Sequence, residues 1–260
     1  MSRPDSGKDP FFVGYAPTPK ALVGFLAVVA GAVIGGGMAA AAVLAMAQGD
    51  WGAASFKWGD GYQTRTGVLA AAPYPVLYQP PSPDYPQGRA VVLSGQGKRG
   101  VQQVATELDG RPADVGGIAL GRDEVGVEFI QVGGEVKLRS AEDSGSVPVG
   151  WTPPTEDLGP RTLKGEIVDS KCYLGAMRPG SGKTHKLCAN LCLVGGIPPM
   201  FVVYREEGAP LVMLLGVAEG APIPDALLDH TSHYVELSGR VERRADLLIF
   251  LVDPASVRRL

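Results

Sequence analysis

The sequence predicts a mainly β protein: a single N-terminal transmembrane helix followed by two small β-barrel units. Three observations lead there. Residues 21–47, ALVGFLAVVAGAVIGGGMAAAAVLAMA, form an apolar run with no charged residue. Beyond them, alternating or compact apolar segments recur between turns, and the chain holds 36 Gly and 22 Pro to make those turns. The plan of residues 62–140 also recurs in 161–260.

The apolar run exceeds the roughly 20 residues a helix needs to cross a bilayer. In lipid its backbone must bond internally, so it is helical despite its glycines. Lys20 opens it, and Trp51 and Trp58 follow it, as interfacial rings do. A cleaved signal peptide is the alternative, with Ala45-Met46-Ala47 as its small-residue site; the run is longer than a usual signal core of about 7–15 residues. Arg3, Lys8 and Lys20 precede the helix and Lys57 follows it, which leaves 1–20 as a cytoplasmic tail. The expected location is a bacterial inner membrane with the C-terminal part periplasmic. Gly31 and Gly35 give a G-x-x-x-G spacing that lets a partner helix approach.

In the last hundred residues, Val235, Leu237 and Val241 of YVELSGRVER fall on one face and Glu236, Ser238, Arg240 and Glu242 on the other. That is a half-buried strand with a bend at Gly239. LLIFLV (247–252) follows a tight turn, and GEIVD (165–169), MFVVYR (200–205) and LVMLLGV (211–217) come before it. PDALLDH (224–230) is a short helix candidate with Pro at its start. Five strands with a helix between the third and fourth is the OB-type plan. In the earlier unit, TGVLA (66–70) parallels KGEIV (164–168), and RAVVLSG (89–95) parallels MFVVYRE (200–206). GIALGRDEVGVEF (117–129) parallels GRVERRADLLIF (239–250). An internal duplication is the expectation. Residues 141–160, rich in Pro, Gly and acids, are expected to be a linker between the first β unit (62–140) and the second, OB-like one (161–260).

The stretch PGSGKT (179–184) looks like the end of a phosphate-binding loop. A Walker A loop needs a Gly where Met177 stands, and no βαβ pattern surrounds it. Nucleotide binding is therefore not expected, and the loop reads as a turn. Lys and Arg (24) nearly balance Asp and Glu (27), so the concentrated basic face that nucleic acid requires is not expected either.

THKLCANLCLVGG (184–196) reads as a helix capped by Thr184 and ended by Gly195-Gly196. His185, Cys188 and Cys192 share one face of it, and Cys172 ends the preceding strand within reach. The stretch 169–203, DSKCYLGAMRPGSGKTHKLCANLCLVGGIPPMFVV, resembles a family of bacterial exported OB-like proteins with a D-S-x-C…H-x-x-C-x-x-x-C signature. The matching positions are Asp169, Ser170, Cys172, His185, Cys188, Cys192 and Gly196. The resemblance implies a small OB-like fold and a cysteine site, and supplies no reaction.

Three readings of Cys172, His185, Cys188 and Cys192 stay open. One is a disulfide among Cys172, Cys188 and Cys192, favoured by an oxidising compartment and worth about 3 kcal/mol by loop closure. Another is a metal site, with three thiolates and an imidazole suiting zinc or copper. The third is thiol redox chemistry, for which the spacing is not C-x-x-C. His230 and His233 read as helix-end residues more than as metal ligands. Asp169 and Lys171 beside Cys172 form a polar site with nothing to define a substrate. No catalytic order of residues is visible. The expected function is an accessory or assembly subunit of a membrane complex, respiratory or otherwise redox-active, partnered by another membrane protein. The alternative is a metal-binding or thiol-redox protein built on the cysteine cluster.

Overall fold

A computed structural model describes residues 18–47, 54–133, 138–140, 147–148 and 151–260. Most of the expected tail, Trp51, and residues 141–146 and 149–150 of the expected linker lie outside the described residues. The chain divides into two compact units, 1–50 and 51–260.

In the first unit, helix α1 spans Lys20–Ala47, 28 residues with none buried against protein. At 1.5 Å per residue it is about 42 Å long, more than the ~30 Å of a hydrocarbon core. It is long and apolar enough to cross a membrane, with mean hydropathy 2.2, a test that a signal sequence also passes.

In the second unit two five-stranded barrels close with one topology. The first is built from β1 (Gln63–Ala70), β2 (Val76–Gln79), β3 (Arg89–Ser94), β4 (Pro112–Gly121) and β5 (Glu128–Val132), with helix α2 (Gln102–Glu107) before β4. β1 pairs with β2, β2 with β3, β3 in parallel with β5, β5 with β4, and β4 again with β1. The second uses β6 (Thr155–Asp169), β7 (Pro199–Val203), β8 (Leu211–Val217), β9 (Tyr234–Arg244) and β10 (Leu247–Val252). Its pairings repeat the first set one for one, including a parallel β8–β10 pair. These are the two OB-like units the sequence predicts. Their third and fifth strands meet in parallel, which closes the sheet and removes its edges.

The repeated glycines have a physical cause. A Cβ on Gly67 would strike the carbonyl of Tyr78, and one on Gly165 that of Val202. Likewise Gly117 would strike Gln131 and Gly239 would strike Leu251. In both barrels the first and fourth strands cross a neighbouring strand so closely at these points that only hydrogen fits.

Each barrel fills its interior with alternate residues: Leu69, Leu77, Val91, Leu93 and Ile130 in one, Ile167, Phe201, Met213, Leu237 and Phe250 in the other. The opposite faces of the same strands are not solvated. Val76, Tyr78, Val92 and Phe129 pack with Met200, Val202, Leu214 and Ile249 in a third core along the seam between the barrels. Both faces are buried, so these strands read as continuous apolar runs rather than alternating ones.

Several expectations need correction. The second barrel begins at Thr155, inside the expected linker. Thr155, Glu156, Asp157, Gly159 and Pro160 pair with Arg240–Arg244 of β9, where Asp157 meets Arg240 and Glu156 lies 2.8 Å from Arg243. Ladder bonds and opposite charges recruit this acidic segment, and Leu158 packs its side chain on the second barrel's core. Strand β2 was not anticipated, because Pro73, Pro75, Pro80 and Pro81 flank it. Trp58 belongs to a 3₁₀ turn of the β unit, Trp58–Asp60, and stacks on Phe56 at 5.1 Å. The helix expected over 184–196 is a 3₁₀ turn, Lys183–His185, followed by α3, Lys186–Val194, and Thr184 makes no capping bond. The helix expected at 224–230 is a 3₁₀ helix, Asp225–His230.

Candidate metal centre

The centre is built where β6 ends. Asp169 is fully buried, and its carboxylate works in two directions. Oδ1 accepts the Cys172 amide at 2.8 Å, turning the chain out of the strand into the tight turn Cys172–Ala176. Oδ2 lies 3.1 Å from His185 Nε2. A buried carboxylate on one ring nitrogen fixes the orientation of the imidazole.

α3 is short and lies over this turn. It faces Cys188 and Cys192 toward Cys172, while Leu187, Leu191 and Val194 are exposed on its far side. Cys172 Sγ is 4.0 Å from Cys188 Sγ and 3.9 Å from Cys192 Sγ. All three cysteines are free thiols; the disulfide alternative is not formed. The donors gather in two overlapping triads that share Cys172. One is Cys172, His185 and Cys188; the other is Asp169, Cys172 and Cys192. The four residues singled out in the sequence are thus brought together around Cys172, rather than as one set of mutually close atoms. This cluster could hold a metal ion.

Sequence reasoning missed two neighbours. Met177 Sδ lies 3.3 Å from Cys188 Sγ, a soft thioether beside a soft thiol. Lys98 comes from the other barrel, on the loop GQGKRG after β3. Its Nζ is 2.8 Å from Cys188 Sγ, 3.4 Å from Cys192 Sγ and 3.1 Å from the Cys188 carbonyl. Lys171 makes the reverse exchange: buried, it donates to the carbonyls of Gly95 and Gly97 at 2.8 and 2.7 Å. The backbones also touch. The Gly100 amide donates to Gly195 O at 2.7 Å, and a Cβ on Gly100 or Gly195 would overlap the opposing carbonyl of Gly196 or Lys98. The only sequence signal for this contact was the glycine spacing around Lys98, and no pattern linked that loop to residues ninety positions away.

The electrostatics follow from the contacts. The hydrogen bond with Cys192, then burial, pushes the Cys172 thiol far up, with Asp169 adding to it. The same bond holds Cys192 down against its burial, with help from Lys98. Cys172 and Cys192 therefore titrate as a pair, with the proton favouring Cys172. Burial alone would lower the Lys98 ammonium, but its bonds to Cys188 and Cys192 and their charge carry it above the ordinary range. Burial lowers Lys171.

No protein-family model, curated protein or solved structure matches the chain.

The remaining sequence candidates sit elsewhere. In the glycine loop, Glu166 Oε1 accepts the Gly182 amide at 2.5 Å and Glu166 Oε2 accepts the Tyr204 hydroxyl at 2.9 Å. A carboxylate thus occupies the amide that a phosphate-binding loop would offer. His230 closes the 3₁₀ helix, His233 N–H donates to His230 O at 3.2 Å, and neither joins a metal-type group among the described residues.

Proposed function

We propose that this is a membrane-anchored protein that holds one soft metal ion, copper(I) ahead of zinc, on the exported side of a bacterial inner membrane. The observation that carries the reading is the gathering of two donor triads around Cys172. Around one ion with metal–sulfur bonds of about 2.3 Å, tetrahedrally placed sulfurs stand ~3.8 Å apart. Cys172 stands 3.9 and 4.0 Å from its two partners, with an oriented imidazole beside them; Cys188 and Cys192 fall in different triads and must draw together for all three sulfurs to hold one ion. Met177 tilts the choice toward copper(I), since thiolate and thioether together favour the softer ion. An ion held this way also keeps the thiols from pairing in an oxidising compartment. Five positions of the D-S-x-C…H-x-x-C-x-x-x-C resemblance, Asp169, Cys172, His185, Cys188 and Cys192, supply the donor atoms of this centre, which supports reading that signature as a metal-site signature.

The test is elemental analysis of the full chain, purified anaerobically in mild detergent, with thiol titration alongside. The expected result is one copper or zinc per chain and no disulfide. Cys172→Ala removes the member common to both triads and loses the ion. Cys188→Ala and Cys192→Ala each weaken binding and leave it measurable. A metal-free chain carrying one disulfide and one free thiol would overturn the reading. A reporter fused after Leu260 that is active only inside the cell would overturn the exported location.

A second reading, an accessory subunit of a membrane complex, draws on α1. Its Gly31 and Gly35 have open space where a Cβ would stand, so another helix can come close. Co-purification of a membrane partner in detergent supports it, and a lone monomer at every salt concentration counts against it.

A further inference from the structure

We propose that the loop Gly95–Gly100 of the first barrel is a working part of the metal centre, and that Lys98 remains on the thiolates of Cys188 and Cys192 when the ion is bound. This rests on the metal reading above and adds to it a part played by the first barrel.

The geometry supports it in three ways. Lys98 is aimed by its own loop: the Gly100 amide is fixed to Gly195 O at the end of α3, and the Gly195 and Gly100 backbones meet without room for a side chain. Immediately before Lys98, Gly97 adopts φ +61°, a left-handed conformation that turns the loop back over α3. The loop is also held from beneath, since Lys171 donates to two of its carbonyls. The ammonium then meets two of the three sulfurs and the Cys188 carbonyl together.

The chemistry agrees. Three thiolates around a monovalent ion leave excess negative charge in a buried place, which is costly without a nearby cation. N–H donors on ligating sulfurs neutralise that charge, fix the sulfur lone pairs and hold the ligands in place, and such outer partners are typically worth 10–100-fold in metal affinity. Lys98 has three donors on a flexible stem and can serve both sulfurs without entering the coordination shell. Met177 supplies no such charge.

The experiment uses the full chain in detergent, loaded with copper(I) in competition with a chromophoric chelator and, separately, with cobalt(II) as an optical probe. Lys98→Gln is expected to keep one ion per chain and the wild-type far-ultraviolet spectrum, but to lose about 10–100-fold in copper(I) affinity. Its sulfur-to-cobalt charge-transfer band moves to lower energy, because the sulfur lone pairs lose their hydrogen bonds. Lys98→Arg recovers most of the affinity and the band position. Equal affinity and an unmoved band in Lys98→Gln overturn the inference while leaving the metal reading intact. A wild-type chain that binds neither ion defeats the metal reading, and the inference with it.

Discussion

His230 shows how a single side chain couples the fold to pH. Burial is the first cause that lowers its pKa, and the Arg259 guanidinium is the second. Arg259 and Lys186 both donate to the carbonyl of Asp229, the preceding residue, so two cations stand beside the ring. Its Nδ1 is buried without a partner. The folded state thus resists protonation more than the unfolded chain does. The contribution to stability is present above the unfolded value, about 6.5, and is lost as pH falls through the lower folded one. Urea midpoints should fall between pH 7 and pH 5, and His230→Gln should flatten that slope. A slope unchanged in the variant would show that other groups carry it. At the seam, Gly100→Ala puts a methyl group into the Gly196 carbonyl. It is expected to cost about 1–3 kcal/mol by overpacking, read from the unfolding midpoint, and to loosen the metal because the loop carries Lys98 with it.

Among the elements, legibility followed locality. Strands β7, β8, β9 and β10 were readable because each carries its own signal: a compact apolar run or a clean alternation. The glycines of β1, β4, β6 and β9 were visible as a repeat, though their cause, contact with a neighbouring backbone, was not. The helix bearing Cys188 and Cys192 was readable from its spacing. What stayed hidden was non-local. Thr155–Pro160 joins a strand because Arg240 and Arg243 await its acids and the second barrel's core takes Leu158, and β2 lies between prolines that resemble loop punctuation. Lys98 belongs to a site whose other members sit in another barrel. Phe201 tests whether β7 is central to the second barrel: it is fully buried and packs on Phe250 with ring centroids 5.5 Å apart. Phe201→Ala should cost about 3–5 kcal/mol, measured by urea unfolding at constant m-value. A loss below 1 kcal/mol would mean that the interior can collapse around the gap.

For the β unit as a whole, the decisive feature is the core that neither barrel owns. Met200, Val202, Leu214 and Ile249 are outward-facing residues of a closed barrel, yet they are buried because the first barrel covers them with Val76, Tyr78, Val92 and Phe129. Polar ties cross the same seam: the Ala90 amide donates to Asp246 Oδ1 at 2.6 Å, and the Arg122 guanidinium lies 4.5 Å from the Tyr173 ring centroid. A barrel deprived of its neighbour would present a contiguous apolar face to water, which a soluble monomer rarely tolerates. Residues 54–260 are therefore expected to melt in one transition, with barrel-specific probes coinciding. Residues 151–260 produced alone should self-associate or bind a hydrophobic dye, and should hold copper(I) weakly even though Cys172, His185, Cys188 and Cys192 are all present, because Lys98 is missing. A fragment that stays monomeric, melts sharply and binds the ion as tightly as the full chain would show that the second barrel is self-sufficient. The first barrel would then be an addition to the centre and not a component of it.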